Sequence, residues 1–290
     1  MITDVKTYLR RKLVDKKPRS ALTAREARRQ FEDYTQSLLG HFFRRIDPGP
    51  VGDEELIKRT AVLKAEDVQD RTSPETYFRS GYLQMLDWLK LLETHGVNLR
   101  TIGAVFELGC GTARLLRHLR CMDGVRLVGS DVNREMIDWC RKNLPDIEFF
   151  ENGLEPPLEF AEEASFDLAF ANSVFTHIPL DLQGPWIGEL QRVLRPGGIL
   201  LCNVIGRVLQ EKMLGRKDLE TLRKEGHLTI DSNSEKASLS TRLIGSWDVF
   251  QTRQEVLKAF GAYFIVRDYL PKPLDLLVLE KASTRSSGRE

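Results

Sequence analysis

The chain has 290 residues, 41% hydrophobic and 29% charged, with 43 Lys and Arg against 42 Asp and Glu for a net charge of +1; this supports one good core and argues against a broadly basic nucleic-acid surface. Four cysteines with no C-x-x-C spacing argue against a disulfide framework or a zinc site and for reduced, buried thiols in a cytoplasmic protein. No apolar run reaches the roughly eighteen residues that span a bilayer, and the N-terminus lacks an apolar core of signal-peptide length.

The first thirty residues carry ten Lys and Arg against only Asp4, Asp15 and Glu26. Such asymmetry can mark contact with an anionic membrane surface or with nucleic acid, but a solvated helix or arm is the favoured reading, because aromatic and apolar side chains are sparse until Phe31. Phe31, Tyr34, Leu38, Leu39, Phe42 and Phe43 then suggest a helix that docks on the core or on a partner. Residues 1–72 are expected to form a basic N-terminal helical extension. From 73 to 95, Tyr77, Phe78, Tyr82, Leu83, Leu86, Trp88 and Leu89 give a helical apolar face.

The next stretch, Val105-Phe-Glu-Leu-Gly-Cys-Gly-Thr-Ala-Arg114, reads as a buried strand, a glycine turn and a helix. Glycines at 109 and 111 permit positive φ and close approach of a ligand, and a helix there would aim free N–H groups at it. A dinucleotide turn wants Gly-x-Gly-x-x-Gly, and Arg114 occupies the third position, which disfavours NAD or FAD. Twenty residues on, a second apolar run ends in Asp131, where α/β nucleotide folds place a carboxylate against ribose hydroxyls. The plainer alternative is that Asp131 starts the helix beginning near Asn133.

Further strands follow at 147–151, ending at Asn152 and Gly153, at 166–172, and at 199–205 after a Pro-Gly turn. A helix carrying Leu182, Trp186, Leu190 and Val193 separates the last two. Residues 207–247 are polar and are expected to form a substrate lid. Thr252 and Glu255 have capping-box spacing, strands at 261–267 and 274–279 close the pattern, and residues 282–290 are expected to be a disordered tail. The alternation predicts an α/β fold, a Rossmann-like doubly wound sheet that is mostly parallel with an antiparallel final strand. Glu107, Asp131, Asn152 and Asn172 then share the carboxyl rim of that sheet.

Glu107, Gly109, Gly111 and the small Ala113 resemble the first motif of class I S-adenosylmethionine-dependent methyltransferases. The likeness continues through Asn152 to Leu158, Ala171 to His177, Leu194 to Gly198 and Leu274 to Lys281, so residues 73–281 are expected to be a methyltransferase domain. The resemblance implies S-adenosyl-L-methionine as cofactor. Glu107, Gly109 and Gly111 would line its methionine part, Asp131 would hold the ribose and Val132 would pack on adenine. Asn152 and Gly153 would border the adenine edge, although many relatives carry aspartate there, and Asn172 would lie near the amino-acid part. In the family a helix preceding the first strand crosses the cofactor mouth, which makes Arg79 and Gly81 candidates for the cofactor carboxylate.

His177, just after the fourth strand, is the candidate general base, with a structural histidine as its alternative. No Asn-Pro-Pro-aromatic tetrapeptide follows that strand, which disfavours methylation of nucleic-acid bases, and the closest-looking family members act on small molecules or glycans. The expected acceptor is therefore an oxygen of a small molecule or sugar. Two rivals are a non-catalytic methyltransferase-like binding module, opposed by the intact rim, and a nicotinamide-dependent oxidoreductase, opposed by Arg114.

Overall fold

A computed structural model describes residues 22–50, 73–231, 233–235 and 247–283. The basic stretch up to residue 21 and the tail from 284 lie outside the described residues. α1 (Ala24–Leu39) opens with Thr23, whose side chain accepts the Glu26 N–H while Glu26 returns the bond, a complete capping box. It docks on α2 (Pro74–Thr94), where Phe31 and Leu39 are buried and the Tyr34 hydroxyl donates to Glu93 at 2.6 Å. The core is thus what the N-terminal aromatic residues dock on.

The sheet has seven strands in the order β3-β2-β1-β4-β5-β9-β8. β1 (Ala104–Leu108), β2 (Arg126–Asp131), β3 (Glu148–Glu151), β4 (Phe166–Ala171) and β5 (Leu194–Ile205) run parallel. β8 (Ile265–Leu270) and β9 (Leu274–Glu280) add the antiparallel edge. Alternate residues of each strand enter opposite cores: Val105, Leu168 and Leu201 meet α1 and α2, whereas Phe106, Ala169 and Leu200 meet α4 (Leu180–Val193) and α7 (Arg253–Gly261). α3 (Arg134–Asn143) packs Ile137 and Cys140 on the first side. All four cysteines are free and buried.

One expectation needs correction. The Pro-Gly pair does not precede β5 but lies within it as an irregularity: pairing jumps from Phe166↔Leu194 to Leu168↔Ile199, with Gly197 at φ +78°. The polar segment after β5, expected as a lid, carries regular structure among its described residues. It folds into α5 (Arg207–Met213), α6 (Arg216–Glu225) and β6 (His227–Asp231), which pairs antiparallel with β7 (Trp247–Gln251). Ile205, Leu214, Leu222, Ile230 and Phe250 give this unit its own small core. Among the described residues, no helix is long and apolar enough to cross a membrane.

Candidate functional site

β1 delivers the chain into a turn with three left-handed residues, Gly109 at φ +67°, Gly111 at +53° and Ala113 at +57°. Gly109 is required twice over, since a Cβ there would lie 2.5 Å from Val174 Cγ2. No α-helix follows directly, contrary to expectation; the chain turns through residues 111–115 and enters a short 3-10 helix, Leu116–Cys121. Short-range backbone bonds such as Ala113 N–H to the Cys110 carbonyl at 2.8 Å and Arg117 N–H to the Ala113 carbonyl at 3.2 Å are reinforced here by side chains. Glu107 Oε2 accepts the Leu116 N–H at 3.0 Å, and Arg117 donates to the carbonyls of Ala113 and Thr112 at 3.0 and 2.6 Å.

Asp131, at the end of β2, stands beside this turn. Its Oδ2 accepts the Gly111 N–H at 2.9 Å and its Oδ1 the Asn133 N–H at 2.9 Å. The helix cap itself is Asn133, whose side chain accepts from Met136, so Asp131 is not the N-cap of α3. Burial raises the Asp131 pKa, opposed by the N–H groups of Asn133, Gly111 and Val132. Val132 is 50% exposed, an apolar side chain open on the rim. Asn152 N–H donates to the Asp131 carbonyl at 3.1 Å and its Nδ2 to the Gly153 carbonyl at 2.8 Å. Its Oδ1 is buried and, among the described residues, has no hydrogen-bond partner. Such an acceptor is costly to leave unmet.

Glu107 is 2% exposed, and burial chiefly, with Asp131 adding to it, lifts its carboxyl to about 8 against the pull of Arg114, the Leu116 N–H and Arg117. Asn172 follows β4 and accepts at Oδ1 from Gln84 (2.6 Å) and Asn203 (2.9 Å). Arg114 donates to Gln84 Oε1 at 2.8 Å and, among the described residues, forms no ion pair. Sequence patterns did not indicate that Gln84 and Asn203 meet Asn172, and Arg114 figured there only as an obstacle to a dinucleotide. Gln84 and Asn203 carry no local signal, since only the docking of α2 and the pairing of β5 bring them to Asn172.

α2 does lie over the turn, but through other residues than expected. Its Tyr77 hydroxyl donates to the Thr112 carbonyl at 2.9 Å. Gly81 instead answers a packing demand, since a Cβ there would come within 2.5 Å of His118 Nε2 and 2.6 Å of the Arg114 carbonyl. Arg79 turns toward the Leu22 carbonyl and the Thr76 hydroxyl, both at 3.4 Å.

His177 is half-buried after β4, with Nδ1 at 2.8 Å from the Trp247 carbonyl of β7. A carbonyl only accepts, so Nδ1 carries the proton and Nε2 keeps a lone pair. Burial holds the ring's pKa below 6.5, against the Trp247 carbonyl and Asp248, so the ring is neutral at neutral pH. Among the described residues, no group of three or more His, Cys, Asp or Glu is placed to hold a metal ion.

Residues 105–198 match a family described as a methyltransferase domain. One similar curated protein is a trans-aconitate 2-methyltransferase of an Azoarcus species, 36% identical over 108 residues that cover 36% of this chain and 40% of that enzyme. Another is a malonyl-[acyl-carrier protein] O-methyltransferase of Hahella chejuensis, 31% identical over 105 residues, or 35% of this chain and 36% of that one. The matches thus span well under half of these relatives. Among solved structures, a protein from Pyrococcus horikoshii aligns with a TM-score of 0.52 at 18% identity, over 76% of this chain and 100% of its own.

Proposed function

We propose that this chain, a member of the class I S-adenosylmethionine-dependent methyltransferase family, transfers the cofactor's methyl group to an oxygen of a small molecule or sugar. The observation that carries the cofactor reading is the conjunction of an exposed Val132, the adjoining Asp131 carboxylate and the unmet Asn152 Oδ1. An adenosine asks for these three things: an apolar surface for its ring face, a carboxylate for its ribose hydroxyls and an acceptor for its amino group.

In this reading Asp131 would hold the ribose, Val132 the adenine face, and Asn152 with Gly153 the adenine edge. Gly109 and Gly111 would line the methionine part beside Glu107, whose Oε2 braces the turn through the Leu116 N–H. Arg114, carried by Gln84 next to Asn172, supplies the cation for the cofactor carboxylate that was expected of Arg79. Gly81 contributes by letting α2 approach the turn.

Bound there, S-adenosylmethionine supplies a methyl group already activated by a positively charged sulfur, so the protein's task is alignment and exclusion of water. His177 would take the acceptor hydroxyl's proton at Nε2, its tautomer fixed by the Trp247 carbonyl. The unit built from α5, α6, β6 and β7 adjoins His177 through that bond and would shape the acceptor side. Support for an oxygen acceptor comes from the candidate base and from a relative named as an O-methyltransferase. A cytoplasmic location fits four free, buried thiols.

The test is transfer of labelled methyl from S-adenosylmethionine to a panel of small alcohols, carboxylates, amines and sugars by the full chain. Label on oxygen supports the proposal. Transfer to nitrogen alone overturns the acceptor class, and cofactor binding without transfer to any member of the panel would indicate the non-catalytic module.

A further inference from the structure

Arg117 is fully buried, and its hydrogen bonds among the described residues all go to backbone carbonyls. Two belong to the turn: Nε donates to Ala113 at 3.0 Å and Nη2 to Thr112 at 2.6 Å. The other two belong to the N-terminal extension, where Nη1 donates to Pro50 at 2.6 Å and Pro48 at 3.4 Å. The guanidinium lies over the rings of Tyr77, Phe78 and Trp139 at 5.2, 5.9 and 5.8 Å. A cation is buried only where such partners compensate its lost hydration.

Residues 42–50 form a strap along the 3-10 helix. Arg44 N–H donates to the Cys121 carbonyl at 2.7 Å, Asp123 N–H to the Phe42 carbonyl at 2.8 Å, and Arg120 Nη1 to the Asp47 carbonyl at 2.9 Å. Gly49 shapes the strap's end: it sits at φ +77°, its N–H meets Asp47 Oδ1 at 2.8 Å, and a Cβ would come within 2.9 Å of Leu144 Cδ2. The turn needs an outside hold. Ala113 is an L-residue in the left-handed region, a conformation that persists only where surroundings over-determine it. Arg117 provides that hold, and one planar fork spans strap and turn at once.

We infer that Arg117 is a positioning residue that couples the strap at residues 47–50 to the turn at residues 109–113, so that the N-terminal extension helps set cofactor affinity. The inference rests on the reading that this turn holds S-adenosylmethionine. By linkage the coupling is reciprocal: occupancy of the turn must steady the strap.

The test measures S-adenosylhomocysteine affinity by calorimetry and amide hydrogen exchange for the full chain, Arg117→Met, Arg117→Lys, Gly49→Ala and the Gly49→Ala/Arg117→Met double variant. Arg117→Met, which keeps length but not donors, is expected to bind at least tenfold more weakly. Arg117→Lys, which keeps charge without the fork, should fail to rescue it. Gly49→Ala, remote from the turn, should weaken binding several-fold, and the double variant should bind no worse than Arg117→Met. In the unsubstituted chain the ligand should slow exchange at residues 44–49, and this protection should vanish in Arg117→Met.

Undiminished affinity in Gly49→Ala together with ligand-independent exchange at 44–49 overturns the coupling, as do additive losses in the double variant. If Arg117→Met does not fold, Gly49→Ala and the exchange pattern of the unsubstituted chain decide alone. Failure of the unsubstituted chain to bind S-adenosylhomocysteine is a different result, and it removes the methyltransferase reading itself.

Discussion

The carboxylate of Asp131 holds the backbone of Gly111: Oδ2 takes the Gly111 N–H at 2.9 Å across the tips of β1 and β2, while Oδ1 takes the Asn133 N–H at 2.9 Å. One side chain thereby sets the glycine turn and the approach to α3. Asp131→Ala strands both donors, so stability should fall by about 1–3 kcal/mol. S-adenosylhomocysteine affinity should fall more than tenfold, with Asp131→Asn intermediate. Calorimetry and denaturant unfolding check this, and unchanged affinity in Asp131→Ala removes the ribose assignment.

Glu107 makes stability depend on pH. Its folded carboxyl titrates at about 8 against an ordinary 4.5, so between those values the folded state keeps a proton that the unfolded chain gives up. The contribution is fully present below pH 4.5 and is lost progressively as pH rises to 8. With about 1.4 kcal/mol per pKa unit, the decline amounts to a few kcal/mol. Glu107→Gln stays neutral throughout and should flatten this fall, measured as unfolding free energy at pH 5 and pH 8. The same slope in both proteins would contradict a buried, protonated Glu107.

The proposed base role of His177 predicts an acid limb of turnover. Since burial holds the ring below 6.5, Nε2 stays available through neutrality and is lost only at lower pH. The rate should therefore fall on acidification at a pH below 6.5. His177→Ala should drop kcat about 10²-fold or more for a hydroxyl acceptor, with KM for S-adenosylmethionine little changed. Full turnover in that variant would leave His177 a structural residue bonded to Trp247.

Two glycine substitutions separate packing from helix propensity. Gly81→Ala drives a methyl group against His118 and the Arg114 carbonyl and should destabilise by about 1–3 kcal/mol. Gly261→Ala meets nothing within 4 Å at the end of α7 and should be neutral or slightly stabilising. Equal effects on the melting temperature would refute the close approach of α2 to the turn.

Strands were legible where their chemistry is local. Val105 and Phe106 enter opposite cores, the apolar run after Gly198 is buried on both sides, and each parallel strand hands a polar residue to one rim. Asp131 could be singled out because a strand end followed by a turn is a short-range pattern. Other features depend on groups far apart in the chain. The path after Gly111 is braced by the Glu107 and Arg117 side chains as well as by its backbone bonds, so helical spacing gave no warning of a 3-10 segment. Arg114 is oriented by Gln84, thirty residues earlier. β6 and β7 were missed because Leu228 and Ile230 alternate over only five residues amid charge, and their partner strand begins at Trp247.

The most direct measurement is calorimetric titration of the full chain with S-adenosylhomocysteine, paralleled by NADH. Saturable one-to-one binding of S-adenosylhomocysteine, weakened in Arg114→Met and Asp131→Ala, with no heat from NADH, is the expected result. Binding of NADH alone, or of neither ligand, would contradict the assignment of this rim to a sulfonium-bearing nucleoside.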